Sequence, residues 1–128
     1  GGLPAAVAGD LANQHAALGE VYAEIGALEE AIAQFRRAVE LGPRFADLRH
    51  RLARLLLDAG RALEAREELE RILADHPGQH EVLATLGLAH YLGGDPAAAR
   101  MVWEGCLTER PEDARVVAYL AMLRRGSQ

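Results

Sequence analysis

The chain has 128 residues, of which 50% are hydrophobic and only 5% aromatic, and its formal net charge is −5. A composition rich in alanine and leucine favours helices over a β-sheet, which is built from β-branched and aromatic residues. The negative charge argues against a general nucleic-acid binder, since such proteins carry a basic stripe, and no apolar run approaches the ~18 residues of a membrane span, so no membrane insertion is expected.

The first element is predicted to be an irregular lead-in over residues 1–11, which contains Pro4 and several glycines. Apolar residues then recur at helical spacing over about Leu11–Ile25. Asp10 is expected to cap this helix, since its carboxylate can accept an unpaired backbone N–H at the helix start. Gly26 is expected to end it, because glycine tolerates the left-handed backbone of a helix stop.

Six further helices follow at regular intervals, each bounded by glycine, proline or aspartate. They are predicted over about Leu28–Leu41, Phe45–Ala59, Ala62–Asp75, His80–Leu92, Asp95–Glu109 and Ala114–Arg125. The pair His76-Pro77 marks one helix end, since proline cannot continue a helix. Asp95 and Asp113 are expected to cap the helices that follow them.

Three prolines, Pro43, Pro77 and Pro111, recur at an interval of 34 residues (77 − 43 and 111 − 77). Other residue types keep the same interval: Gly26, Gly60 and Gly94; Ala31, Ala65 and Ala99; Leu18, Leu52 and Leu86; Gly19, Ala53 and Gly87. A 34-residue period is typical of a solenoid of helix–turn–helix units. The period predicts a binding scaffold and leaves open what is bound.

The first unit reads H-x2-L-G-x2-Y from His15 to Tyr22, then Ala31-x3-Phe35, then Pro43. This pattern resembles the tetratricopeptide repeat, which runs W-x2-L-G-x2-Y, A-x3-F and P. The resemblance implies an all-α, right-handed α-solenoid with three tetratricopeptide-type helix–turn–helix repeats over about 12–45, 46–79 and 80–113. A C-terminal capping helix over 114–125 would complete a single domain spanning residues 12–125.

Small residues in the repeat predict close helix crossings. We expect Gly19 and Gly87 to lie where two helices approach closely, because only a small residue fits there. Ala31 and Ala99 are expected to face them from the second helix, with Phe35 and Trp103 filling the space beside them. Cys106 falls in a small-residue position of the repeat and is expected to be a buried structural thiol.

The resemblance implies that the first helices of the repeats line a concave groove that takes a peptide or a partner's helix. The predicted binding residues are His50, Arg51, Arg54, Ala84, Leu88, Tyr91, Leu92, Ala118, Tyr119 and Met122, with Arg115 facing the same way. Basic residues in the middle and apolar residues beyond them predict a protein or peptide partner with acidic residues beside an apolar stretch.

Each half of this groove has an alternative interpretation. Arg51 and Arg54 can pair with Asp47 and Asp58 on their own helix and do nothing else. The apolar half can contact further repeats or pack shallowly within the array. In place of partner binding, the chain can serve as a self-assembly module, forming a homo-oligomer through its last helix, or as the substrate-recruiting segment of a larger enzyme.

Co-chaperone members of the family clamp the carboxylates of chaperone tails with Lys and Asn. The matching positions here are Ala16, Glu20, Arg54, Ala84 and Leu88, so the clamp is absent and chaperone-tail binding is not expected.

No catalytic motif or cofactor site is recognised, and the chain is expected to be no enzyme and to need no cofactor or metal. His76 and His80 are four apart, but Pro77 interrupts the helix between them and further zinc ligands are lacking. The pairs Glu29-Glu30 and Glu67-Glu68 are expected to form solvated outer faces.

The cysteine content bears on the compartment. Cys106 is the single cysteine and cannot form an internal disulfide, so a reducing compartment fits and the cytoplasm is favoured. No signal peptide is recognised. The chain begins Gly1-Gly2 without methionine, which indicates a processed product or a fragment.

Overall fold

A computed structural model describes residues 2–126 of the chain. These residues form seven α-helices and no strand: α1 Ala5–Glu24, α2 Leu28–Leu41, α3 Ala46–Asp58, α4 Ala62–Asp75, α5 His80–Leu92, α6 Pro96–Glu109 and α7 Ala114–Gly126. The fold is that of an all-α helical repeat protein, as predicted. The helices divide into two compact units, with α1 to α3 in unit 1 and α4 to α7 in unit 2.

The turns within each repeat confirm the predicted glycine stops. Gly26, Gly60 and Gly94 have φ angles of 79°, 78° and 91°. An L-residue with a side chain is strained in this left-handed region, whereas glycine is not. The 34-residue period of these glycines is therefore a period of backbone conformation.

The helix bounds after α1 agree with the predictions to within one residue at each end. The caps predicted at Asp95 and Asp113 are also confirmed. Asp95 Oδ1 accepts the N–H of Ala98 at 3.0 Å, and Asp113 Oδ1 accepts the N–H of Val116 at 3.1 Å.

The irregular lead-in predicted for residues 1–11 is wrong, because α1 begins at Ala5. Pro4 precedes the first turn, where a proline removes no helical hydrogen bond, and its carbonyl accepts the N–H of Ala8 at 3.0 Å. Asp10 consequently lies inside the helix, and its predicted capping role is wrong too. The alanines of this segment have the highest helix propensity of any residue and outweigh the cost of Gly9.

Unit 1 contains the first predicted close crossing, between α1 and α2. A Cβ atom built on Gly19 would lie 2.6 Å from Cδ2 of Phe35, closer than any real contact. Phe35 and Ala31 are fully or almost fully buried. The expectation that Gly19 leaves room for Phe35 is confirmed.

Unit 2 has its core around Trp103, which is fully buried. The indole Nε1–H donates to the carbonyl oxygen of Ala84 at 2.9 Å, and a Cβ atom on Gly87 would lie only 2.1 Å from that nitrogen. The ring of Tyr119 stacks on the indole with centroids 4.8 Å apart. The predicted crossing of α5 and α6 at Gly87 is confirmed.

The outward-facing, solvated position predicted for Glu68 is wrong, since this residue is only 7% exposed. Glu68 borders Leu69 on the packed side of α4, and its carboxylate forms an ion pair of 3.7 Å with Arg71. Glu29, Glu30 and Glu67 are exposed, as expected.

Candidate partner-binding surface

In unit 2, α5 and α7 are each the first helix of a repeat. They place four predicted binding residues against the core of the unit. Leu88, Tyr91, Tyr119 and Met122 are all half-buried and pack against the cluster that contains Trp103. Their remaining exposed surface is apolar or aromatic. Beside them, Leu92 is 53% exposed and Ala118 is exposed.

Ala84 does not belong to this surface, and its prediction as a binding residue is wrong. It is 1% exposed and lies in the core of unit 2. The indole of Trp103 reaches across to the Ala84 carbonyl and covers this turn of α5. The equivalent residue of the first repeat, Ala16, is also buried, so this position faces the core in both repeats.

The most constrained polar group on this surface is Arg115, which the periodicity placed here without assigning it to binding. Its Nη2–H donates to Oγ1 of Thr85 at 3.1 Å, and its Nε–H donates to the hydroxyl of Tyr119 at 2.8 Å. The guanidinium carbon also lies 5.3 Å from the centroid of the Tyr119 ring, a cation–π geometry. These contacts hold an exposed cation in one place.

Unit 1 holds the three predicted basic residues. The guanidinium of Arg51 is bound by Glu20 of α1, whose Oε1 accepts from Nη2 at 2.7 Å and from Nε at 2.8 Å. The alternative that Arg51 pairs on its own helix is therefore wrong. Arg54 is exposed and forms no ion pair within residues 2–126, and His50 is half-buried.

A recess of about 220 Å³ surrounds the Arg51–Glu20 pair. Its lining comprises Glu20, Ala23, Glu24, Leu28, Arg51, Leu55 and Asp58. Three carboxylates face one guanidinium there, so this part of unit 1 is net acidic. The predicted basic region in the middle of the groove rests on the residues of α3 alone. The carboxylates of Glu20 and Glu24 on α1 offset its positive charge.

Unit 2 has a larger recess, of about 370 Å³, near the ends of its first helices. It is lined by Tyr91, Pro96, Ala97, Arg100, Met122, Leu123 and Gly126. Two predicted binding residues, Tyr91 and Met122, form part of its wall. The surface of the recess is about equally polar and apolar, and the Arg100 cation lies at its side.

His80 and Asp113 connect α5 to the start of α7 and so position Arg115. Nε2 of His80 hydrogen-bonds Oδ2 of Asp113 at 2.5 Å, while the other carboxylate oxygen caps α7. The hydrogen bond from His80 and then that from the Val116 amide lower the pKa of Asp113 below its ordinary value of 3.8. No group of three or more potential metal ligands occurs within residues 2–126.

The Asp113 cap predicts a pH-dependent loss of stability. Its lowered pKa means that the contribution is complete above pH 3.8 and is lost as the pH falls through the folded-state value. We expect Asp113→Ala to lower the free energy of unfolding by about 0.5–2 kcal/mol at neutral pH, as for other helix caps. Urea unfolding of both proteins between neutral pH and pH 3 measures this difference, which should shrink at the acidic end.

Asp95→Ala, at the start of α6, is the matched control for the His80 contribution, because Asp95 caps its helix without a histidine partner in the structure. A difference for Asp113→Ala that stays constant down to pH 3 would contradict the assigned pKa direction.

Cys106 is buried, at 3% exposure, as expected. Burial, and secondarily the negative charge of Asp113, raises the pKa of its thiol. A thiol held in its neutral form inside the core is a packing residue, because the reactive species is the thiolate.

A profile described as tetratricopeptide repeat matches residues 22–89, more than half of the chain. The chain belongs to the tetratricopeptide repeat family. Domains of this family are in general interaction modules. None of the described helices is long and apolar enough to cross a bilayer.

Solved tetratricopeptide repeat domains have the same fold. The first such domain of Spaghetti (RPAP3), solved with the HSP90 peptide SRMEEVD, aligns with a TM-score of 0.81 at 16% identity, over 92% of this chain and 94% of that one. The Sgt2 domain from Aspergillus fumigatus gives 0.78 at 17%, over 90% and 78%. MamA gives 0.70 at 24%, over 81% and 57%. At these identities the likeness concerns the fold alone.

A bacterial relative is closer in sequence. Cellulose synthase operon protein C of Xanthomonas axonopodis pv. citri (strain 306) is 33% identical over 129 residues. The match covers 91% of this chain but only 9% of that protein. The chain therefore spans about a tenth of the length of the relative it matches.

Proposed function

We propose that this chain is a non-catalytic scaffold that binds a peptide or helix of a partner protein. The contact is made by the face that α5 and α7 form in unit 2, which we call the first-helix face of unit 2. The single observation that carries this proposal is the fixed Arg115 guanidinium beside half-buried apolar side chains. The partner segment pairs a carboxylate with a leucine or methionine side chain.

Arg115 suits a carboxylate. Its contacts with Thr85 and Tyr119 use two of the five N–H donors of a guanidinium, and the remaining donors can bind both oxygens of a carboxylate. Because the side chain is already held, less rotamer entropy is lost on binding than for a freely moving arginine.

Leu88, Met122 and Leu92 supply the apolar half. Exposed apolar surface of this kind tends to mark interaction sites, and its burial adds affinity that an exposed ion pair alone does not give. Methionine adapts to differently shaped partners, since its side chain is unbranched and flexible. The proposed partner therefore carries its apolar side chain next to the acidic one.

The arginines of unit 1 contribute less than Arg115 to binding the carboxylate of the partner. Glu20 already neutralises Arg51, and Glu24 and Asp58 lie in the same recess. Of the predicted basic residues, Arg54 is the one whose exposed cation is available for a second contact. We therefore assign the acidic group of the partner to Arg115.

The likeness to the domain of Spaghetti (RPAP3) with an HSP90 peptide supports peptide binding as the class of function. The peptide itself is not carried over to this chain. Among the positions of the chaperone-tail clamp, Ala84 is buried and Glu20 is engaged with Arg51.

Two matched peptide series test the proposal by fluorescence anisotropy. One series carries Glu next to Leu at varied spacing in a Gly/Ser background, and the other has Lys in place of Glu. We expect binding of the first series only. Arg115→Glu should weaken it by about tenfold or more, equivalent to about 1.4 kcal/mol, and Leu88→Glu should do the same by removing apolar contact.

Arg110→Glu is the control, because Arg110 is exposed and its side chain makes no hydrogen bond or ion pair in the described part of the chain. It changes the net charge by the same amount and should leave affinity nearly unchanged. Added salt should weaken the complex, since exposed charges are screened. Equal affinity of the two series, or equal losses in the Arg115 and Arg110 variants, would refute the assignment of Arg115.

The bacterial relative favours one narrower candidate: an interaction segment within a much longer chain that works with the products of a cellulose synthase operon. The supporting observation is the 33% identity over nearly the whole of this chain. The neighbourhood of the complete gene tests it. Cellulose synthase genes alongside would support the candidate, and their absence would remove it.

A further inference from the structure

The recesses of unit 1 and unit 2 occupy the same place in the repeat. Four residues that line the first have equivalents 68 positions later, at twice the repeat period, that line the second. These pairs are Ala23 and Tyr91, Leu28 and Pro96, Leu55 and Leu123, and Asp58 and Gly126. In each unit the recess borders two successive first helices and the start of the second helix between them. The repeat therefore produces the recess, and its side chains decide what it can bind.

The charge at this place is opposite in the two units. Three carboxylates and one guanidinium line the recess of unit 1. The positions of these carboxylates, Glu20, Glu24 and Asp58, correspond to Leu88, Leu92 and Gly126 in unit 2. The lining of the unit 2 recess contains Arg100 and no Asp or Glu. A carboxylate is therefore repelled by the first recess and attracted by the second.

The charged residues next to the lining keep the recess of unit 2 positive. Asp95 precedes Pro96, but its carboxylate is held by a backbone N–H as the cap of α6. Arg124 and Arg125 precede Gly126 in the last turn of α7 and are exposed. The end of α7 therefore adds positive charge beside the recess.

Arg100 keeps donors for a ligand. Its Nη1 lies 4.0 Å from Oε1 of Glu104 on the same helix, and the two side chains are 41% and 60% exposed. Exposed pairs of this kind hold a side chain weakly. A guanidinium has five N–H donors in one plane, which suit both oxygens of a carboxylate. By contrast, Arg51 in unit 1 is bound by Glu20 at 2.7 Å. Of these two arginines, Arg100 is the one that is open to a further carboxylate.

The recess and Arg115 lie at opposite ends of α7. Arg115 is in the first turn of the helix, and Met122, which lines the recess, is in its second half. A helix rises about 1.5 Å per residue, so the two lie about 10 Å apart along the axis. Tyr91 and Met122 add half-buried surface at the recess. The first-helix face of unit 2 thus presents a cation, then apolar side chains, then a second cation.

We propose that Arg100 binds a second carboxylate of the partner, from an acidic side chain beyond the apolar one. This inference rests on the proposed function, in which Arg115 binds the first carboxylate. The partner segment therefore carries acidic residues on both sides of its leucine or methionine. A separation of about 10 Å corresponds to about three residues of an extended chain or about seven residues of a helix.

Peptides that differ only at the second acidic position test the proposal by fluorescence anisotropy with the full chain. Each has blocked termini and one Glu next to Leu. Beyond the Leu, at about three, four or seven residues from that Glu, each carries either a second Glu or a Gln. We expect Glu to bind about fivefold tighter than Gln at one of these spacings, as for an exposed ion pair. Arg100→Gln should reduce this ratio to about one, because the cation is removed.

Arg66→Gln is the matched control. Arg66 lies one repeat period before Arg100 and forms the equivalent i, i+4 ion pair, with Glu70 at 3.4 Å. Its side chain is 40% exposed, against 41% for Arg100, and it lines neither recess. The substitution changes the net charge by the same amount and should leave the ratio of the Glu and Gln affinities unaltered. Circular dichroism confirms that each variant is folded.

Three results would overturn the second contact. One is a ratio that Arg100→Gln does not alter. Another is an equal fall in Arg100→Gln and Arg66→Gln, because the ratio would then report net charge. The third is a fall only in Arg124→Gln/Arg125→Gln, which would place the carboxylate at the end of α7.

Arg115→Glu separates this proposal from the proposed function. Binding of the Gln peptides through Arg115, with no gain from a second Glu at any spacing, would remove the second contact and leave the proposed function standing. A ratio that depends on Arg100, with affinities that Arg115→Glu does not change, would remove the role of Arg115 and leave the recess. Absence of binding by every peptide would overturn both.

Discussion

Replacing Trp103 by alanine is expected to lower the free energy of unfolding by about 3–5 kcal/mol, the usual cost of deleting a buried aromatic side chain. The indole is fully buried, stacks on Tyr119 and fills the space that Gly87 leaves open. The truncation removes these contacts and the hydrogen bond from the indole to the carbonyl of Ala84. Urea unfolding followed by circular dichroism measures the effect.

Trp103→Phe separates packing from hydrogen bonding. Phenylalanine occupies the equivalent position at Phe35, so most of the apolar volume is retained while the N–H donor is lost. We expect a smaller loss, of about 1–3 kcal/mol, for the lost hydrogen bond and a partly filled space. A Trp103→Ala protein as stable as the unmodified chain would show that unit 2 is not organised around this residue.

Gly87→Leu is expected to cost about 1–3 kcal/mol, because adding atoms to a filled core forces its neighbours apart. Even the first added carbon would lie 2.1 Å from the indole nitrogen of Trp103. Gly105→Leu is the control, since no atom lies within 4 Å of its built Cβ on α6. There leucine should stabilise the helix by up to about 1 kcal/mol, as expected when glycine is replaced in an exposed helix.

Thermal unfolding of the two leucine variants gives the comparison directly. We expect a lower midpoint for Gly87→Leu and an equal or higher midpoint for Gly105→Leu. Combining Gly87→Leu with Trp103→Ala should restore part of the stability, because the deleted indole leaves room for leucine. Equal midpoints in the two single variants would contradict the close crossing of α5 and α6.

The repeat period predicted most of the fold, because it reports conformation and packing together. Gly26, Gly60 and Gly94 all have positive φ, and Gly19 and Gly87 both face an aromatic ring. The first eleven residues lie outside the period, so local cues had to decide there. Pro4 and the glycines of this segment favour an irregular lead-in, but Pro4 precedes the helix and Gly9 is tolerated within it.

The binding surface was less predictable, since its polar contacts join different helices. Glu20 binds Arg51 from 31 residues away, and Arg115 reaches Thr85 across 30 residues. Neither pair can be predicted from the spacing of residues within one helix. The i, i+4 relation of Arg115 and Tyr119 was the available signal, and it could have assigned this arginine to the site.

The most direct test of the central claim is an amide-resolved NMR titration of the full chain with the Glu–Leu peptide. The account predicts that the largest shift changes fall on α5 and α7, around Leu88, Arg115 and Tyr119, and that Arg115→Glu removes them. Changes confined to the outer faces of α2, α4 or α6, or unaltered by Arg115→Glu, would contradict binding through the first-helix face of unit 2.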